Sequence, residues 1–203
     1  MIVFIEGPRA VGKTFLLDEF FKQNTNPDVM YYKFAFEKYI EDLGMRDQET
    51  GPGVHYFSIA NVLTILELNR TILKDKILIF DRSIFSAYVW SIYRERMDKT
   101  RLLDEFEKVL TGELYQNCVL LYATRKDMPA PTRQEKDYFG NFENYLAEKK
   151  IFEEVLDKFG KYISQPTKSN HFINYVNKFD AASVTEFCEL INGLSSVTPV
   201  LNK

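Results

Sequence analysis

Ile2-Val3-Phe4-Ile5-Glu6-Gly7-Pro8-Arg9-Ala10-Val11-Gly12-Lys13-Thr14 opens the chain with four apolar residues and runs into G-x-x-x-x-G-K-T over residues 7–14. Immediately after it, Leu16, Leu17, Phe20 and Phe21 stand at i, i+1, i+4 and i+5, one face of a helix. The motif therefore lies between a strand and a helix. Gly7 and Gly12 let the backbone turn tightly, and Arg9, Ala10 and Val11 line the turn with amides. With the partial positive charge of a helix N-terminus added, the stretch cradles a polyphosphate. Lys13 is placed to reach the β- and γ-phosphates, and the Thr14 hydroxyl to ligate Mg²⁺. The bland alternative, a Gly-rich turn without a ligand, does not account for the strand on one side and the helix on the other.

The rest of the composition bounds what such a site can serve. A chain of 203 residues is long enough for one domain with a full core, here read as residues 1–195, with 196–203 as a loosely held tail. A net charge of −3 argues against non-specific nucleic-acid binding as the main occupation, while leaving room for a local basic groove. The 17 Phe and 12 Tyr exceed what base stacking needs, so most must pack the core. Cys118 and Cys188 fall in a strand-like and a helix-like apolar run, which predicts buried free thiols in a reducing compartment. His55 and His171 have no second ligand at metal-binding spacing. No stretch is long and apolar enough to span a membrane, and the first apolar run reads as a strand, so the expected location is cytoplasmic.

Taken in order, the pattern alternates strand and helix. Strands are expected at 29–36, 77–80, 118–123 and 172–176. Helices are expected at 37–43, after Gly51-Pro52-Gly53, around Phe85 to Tyr93, around Leu102 to Leu110, and from Phe142 to Gly160. A last one is expected around Val184 to Leu194, with Ser183 and Glu186 as its capping box. The run Ile77-Leu78-Ile79-Phe80 lacks alternation, as a central parallel strand covered on both faces does. Residues 124–140, basic and broken by prolines, read as a lid. The fold class is α/β: a five-stranded, doubly wound parallel sheet with helices on both faces, binding ligands beyond the carboxyl ends of its strands.

Three features together, the Walker A loop, Asp81-Arg82-Ser83 at the end of the third strand, and an Arg-containing segment after the fourth, resemble the thymidylate kinase and deoxynucleoside kinase branch of P-loop kinases. Tyr56-Phe57-Ser58-Ile59-Ala60-Asn61 is similar to that family's Phe-Ser-Ala-Asn-Arg helix, and Tyr32 to Phe36 to its second strand. Three positions depart from the pattern: Val62 replaces the acceptor arginine, Phe34-Ala35-Phe36 lacks Phe-Pro-Asp, and Arg9 stands where many thymidylate kinases have Asp. The resemblance implies transfer of the γ-phosphoryl group of ATP, with Mg²⁺, to a nucleoside, a nucleoside monophosphate or a related acceptor. It also implies a homodimer, for which the aromatic helices offer an interface.

Roles follow from what phosphoryl transfer needs, namely positioning and charge neutralisation. Asp81 either orients or deprotonates an acceptor hydroxyl or holds Mg²⁺ together with Thr14, and Arg82 clamps a phosphate. Arg125 and Arg133 are lid arginines for the γ-phosphate. Phe36, Tyr56, Phe57 and Tyr88 are candidates for stacking on the acceptor base, with core packing as their alternative. Ser58 and Asn61 are candidates for its polar edge. Asp180 borders the donor base.

Two other functions share these residues. Asn177-Lys178-Phe179-Asp180 spells N-K-x-D, the guanine-reading motif of GTPases, although no D-x-x-G ends the third strand. A kinase acting on a hydroxyl of DNA, or of a modified pyrimidine in DNA, would use the same donor site and exploit the aromatics.

Overall fold

Side-chain parity along the first strand decides which helices cover it. In the computed structural model, which describes residues 1–33, 51–111, 118–125, 142–163, 171–178 and 180–196, β1 is Ile2–Glu6 and is buried throughout. Ile2 and Phe4 point into one core and Val3 and Ile5 into another, as a period of two requires when both faces are covered. The other strands are β2 Val29–Lys33, β3 Ile77–Asp81, β4 Cys118–Arg125 and β5 His171–Asn177. The helices among the described residues are α1 Lys13–Gln23, α2 Gly51–Thr71, α3 Ile84–Tyr93, α4 Lys99–Thr111, α5 Phe142–Ile163 and α6 Ala181–Ser196. All strands pair in parallel in the order β2-β3-β1-β4-β5, the α/β sheet expected from the sequence.

The order itself locates a crevice. β3 and β4 flank β1 on opposite sides, so the chain leaves β1 where the winding reverses, and a cleft opens beyond the strand ends. Register puts Ile5 beside both Asp81 and Leu121, and Arg125 beside Asn177. The ends of β1, β3, β4 and β5 thus converge on residues 7–14.

One core, holding Phe4, Phe80 and Leu120, is closed by α2, α3, α4 and most of α5. The other, holding Val3, Ile79 and Leu121, is closed by α1 and α6. Cys118 and Cys188 are buried free thiols, as expected. Several boundaries differ from the sequence reading. The last helix is capped by Asp180, whose Oδ1 accepts from Ser183 N at 2.7 Å; Ser183 Oγ instead accepts from Lys178 N at 3.1 Å, outside the helix. The fifth helix passes Gly160 and ends at Ile163. β4 continues through Thr124 and Arg125, where pairing with Val176 and Asn177 extends the ladder. Leu146 and Ile72 are exposed. The expected helix 37–43, Phe36, Arg133, residues 126–140 of the lid and the tail beyond Ser196 lie outside the described residues.

Phe106 of α4 centres the larger core, stacked on Tyr88 at 4.4 Å and edge-on to Phe85 at 4.7 Å and Phe159 at 4.9 Å. Phe106→Ala is therefore expected to cost about 3–5 kcal/mol, read as a lowered urea midpoint with an unchanged slope.

Candidate active site

The loop between β1 and α1 has four of its carbonyls occupied by side chains. Lys13 Nζ donates to Gly7 O at 2.9 Å and Pro8 O at 2.7 Å, Arg125 Nη1 to Ala10 O at 2.7 Å, and Asn177 Nδ2 to Val11 O at 2.9 Å. What the turn presents to an anion is backbone amides, that of Arg9 excepted, the arrangement a phosphate needs. Gly7 has φ +137°, and a Cβ there would stand 2.1 Å from Ala123 O, so no other residue fits. Gly12 takes φ 79° and leads directly into α1. Ala10 holds φ 58°, a left-handed conformation unfavourable for a residue with a Cβ, and its carbonyl is the one gripped by Arg125.

Lys13 is buried. Desolvation, reinforced by the nearby Arg82 charge, lowers its pKa to about 7, against the opposing influence of Asp81, Glu148 and Glu6. Asp81 ends β3 on the face of Ile79, the α1 side, where Thr14 Oγ1 donates to its Oδ2 at 2.7 Å. Tyr31 OH donates to the same oxygen at 3.4 Å, and burial followed by the Asp81 charge raises the Tyr31 pKa. A hydroxyl and a carboxylate side by side are hard oxygen donors of the kind Mg²⁺ takes, and residues 7–13 supply the phosphate cradle beside them. The residues present fit both groups.

Glu6, on the opposite face of β1, was not singled out from the sequence. Its carboxylate is 1% exposed and receives Ser83 N and Ser83 Oγ at 2.6 Å, Ser86 N at 3.2 Å and Ser86 Oγ at 2.5 Å. Arg82 lies immediately before these anchors with φ 80°, its amide donating to Ile5 O at 3.0 Å and its Nη1 to Ser86 Oγ at 3.1 Å.

Arg9 turns away from the loop. Its guanidinium carbon lies 3.1 Å from the ring centroid of Trp90, and its amide and Nε stand 3.4 Å and 3.7 Å from Glu148 Oε2. Glu148 is buried, and its Oε1 has no hydrogen-bond partner among the described residues. Trp90 and Glu148 had legible signals: one is the chain's only tryptophan, and the other is a charge inside the apolar stripe between Tyr145 and Phe152.

The structure brings Lys13, Thr14, Asp81, Arg82 and Arg125 to one place, while the Arg9 side chain lies against Trp90. Tyr88 is in the core against Phe106. The Tyr56 hydroxyl donates to Glu105 Oε1 at 3.2 Å and accepts from Arg101 at 3.0 Å, on the α4 side. Phe57 is exposed, Ser58 is buried, and Asn61 Nδ2 donates to Phe57 O of its own helix at 2.9 Å. Asp180 is exposed at the start of α6, and the hydrogen bond from Ser183 N lowers its pKa. No described helix is long and apolar enough to cross a membrane.

Comparison with known proteins agrees with this fold. A family model described as an AAA domain matches residues 2–165. No curated protein matches the sequence. Among solved structures, NadR in complex with NR is similar at a TM-score of 0.64 and 14% identity, over 97% of this chain and 52% of that one. This chain thus spans about half the length of NadR. Thymidylate kinase from Ehrlichia chaffeensis is similar at 0.59 and 16% identity, over 96% of this chain and 98% of that one. Deoxyadenosine kinase from M. mycoides, solved with the products dcmp and dcdp, is similar at 0.59 and 18% identity, over 97% of this chain and all of that one. At such identities the likeness is one of fold, that of P-loop kinases.

Because a polyphosphate favours the ammonium form, a site that holds Lys13 at a pKa of about 7 must take up a proton on binding when the pH is higher. Below pH 7 the ammonium is already present and affinity is level; above it, the ATP Kd is expected to rise by up to about tenfold per pH unit. Calorimetry at pH 8 in buffers of different ionisation enthalpy is expected to show about one proton taken up, and to show none in Lys13→Ala.

Proposed function

We propose that this chain, which belongs to the AAA domain family, is an ATP-dependent kinase transferring the γ-phosphoryl group to a nucleoside or nucleoside monophosphate. The observation that carries the reading is the contact of Thr14 with Asp81 at 2.7 Å, beside a buried Lys13 on a loop with four of its carbonyls committed. A binding module needs the cradle but has no use for a carboxylate at its mouth. The names of the neighbouring structures, thymidylate kinase and deoxyadenosine kinase, support the acceptor class.

In this reading Lys13 and the loop amides hold the triphosphate, and Arg82 and Arg125 face the transferring group with positive charge. Mg²⁺ held by Thr14 and Asp81 would neutralise the phosphate oxygens. With a hydroxyl acceptor, Asp81 also receives the proton as the oxygen attacks; with a phosphate acceptor, no proton need move and its role is to hold the metal. Asp180 borders the donor base in this reading. The contacts of Asn177 with Val11 O and of Asp180 with Ser183 N give both ends of the N-K-x-D stretch structural work, which favours the kinase over the GTPase.

The test is ATP consumption with Mg²⁺ against deoxynucleosides, their monophosphates, and DNA with ordinary or hydroxymethylated pyrimidines. Turnover with one class of free nucleoside or nucleotide is expected, falling by at least about 10²-fold in Lys13→Ala and Asp81→Ala. Turnover with DNA alone would replace the acceptor, and acceptor-independent GTP hydrolysis would replace the reading.

A further inference from the structure

The carboxylate of Glu6 does more than anchor a helix. The start of α3 already has its cap, Ser83 Oγ accepting from Phe85 N at 3.2 Å, yet Glu6 also takes two backbone amides and both serine hydroxyls. Its contact with Ser86 has a direction. A carboxylate can only accept, so the Ser86 hydroxyl must spend its single hydrogen on Glu6 Oε2, 2.5 Å away. The oxygen of Ser86 is then left with lone pairs alone, and Arg82 Nη1 donates into them at 3.1 Å. A guanidinium is planar, so fixing one of its donors restricts the plane of the whole group.

We propose that Glu6 and Ser86 form a positioning relay that fixes the plane of the Arg82 guanidinium toward the transferring group. Neither touches the reacting atoms; they act through Arg82. The inference rests on the kinase reading for what Arg82 meets, but not for how Arg82 is held.

Two variants break the relay differently. Ser86→Ala removes the hydroxyl. Glu6→Gln keeps size and shape, but its amide group can donate to Ser86, freeing the serine hydrogen to turn toward Arg82, where a donor is already present. Ser86→Thr keeps the hydroxyl and serves as the rescue. Both disruptive variants are expected to lower kcat by about tenfold, the worth of a hydrogen bond to a charged group, with the ATP KM changed by less than about twofold. In an Arg82→Ala background, Ser86→Ala should cost nothing further. Independently of any turnover, phenylglyoxal labelling of Arg82, followed by peptide mass spectrometry, should be severalfold faster in Ser86→Ala and Glu6→Gln than in the wild type or Ser86→Thr.

Equal losses with and without Arg82, or unchanged labelling of Arg82, would overturn the relay and leave Glu6 as a helix anchor. Should no acceptor be phosphorylated by the wild type, the kinase reading falls while the labelling still decides the relay.

Discussion

Glu6 ends the central strand with a carboxylate that water does not reach, directly before the glycine that begins the phosphate loop. A buried carboxylate is costly unless its oxygens are satisfied, and here the start of α3 satisfies them. The end of β1 and the start of α3 therefore cannot separate without exposing that carboxylate or orphaning it. Because Asp81 and Arg82 lie just before those same serines, one interaction sets the spacing between the loop at residues 7–14 and the Asp81 carboxylate. The left-handed backbone of Arg82 persists because residues on both sides of it are pinned.

Strand parity distributes the roles. On β1 the even positions face α3 and the odd ones α1, so Glu6 follows Ile2 and Phe4 to the α3 side. On β3, Asp81 follows Ile79 to the α1 side, where Thr14 is waiting. A shift of one residue in either strand would exchange these faces, leaving Asp81 against α3 and Glu6 against α1. The wholly apolar interiors of both strands hold the register because each face is buried under a different set of helices.

The loop joins the two halves under opposing demands. Its amides must stay available for an anion while its carbonyls, turned into a dry crevice, must not be left unpaired. Lys13, Arg125 and Asn177 resolve this from α1, β4 and β5, so the cradle is assembled by three separate elements converging on it. The lysine does so at the expense of its own solvation, which is why its proton is weakly held while the site waits. Arg9 is drawn off to Trp90 and Glu148, placing a loop residue in contact with both α3 and α5.

Much of this was legible in one dimension. The strand–loop–helix unit at residues 2–21, the unalternating apolar run before Asp81 and the sequence of strands and helices follow from local periodicity and glycine chemistry, which need no tertiary partner to be read. The same logic singles out Lys13, Thr14, Asp81 and Arg82 as candidates. It could not assign Glu6, because a charge after an apolar run looks like the end of a strand until the element opposite it is known. Nor could it show that Arg125, expected as a lid arginine, and Asn177, within the N-K-x-D stretch, also grip loop carbonyls 115 and 166 residues away. Tyr88, a stacking candidate by spacing, proved to be core because Phe106, distant in sequence, lies flat against it. The sequence by itself determined the elements and the chemistry of the phosphate loop, since both are encoded in adjacent residues. The tertiary structure alone decided which side chains hold that loop and aim Arg82, because those hydrogen bonds join strands and helices that only folding brings together.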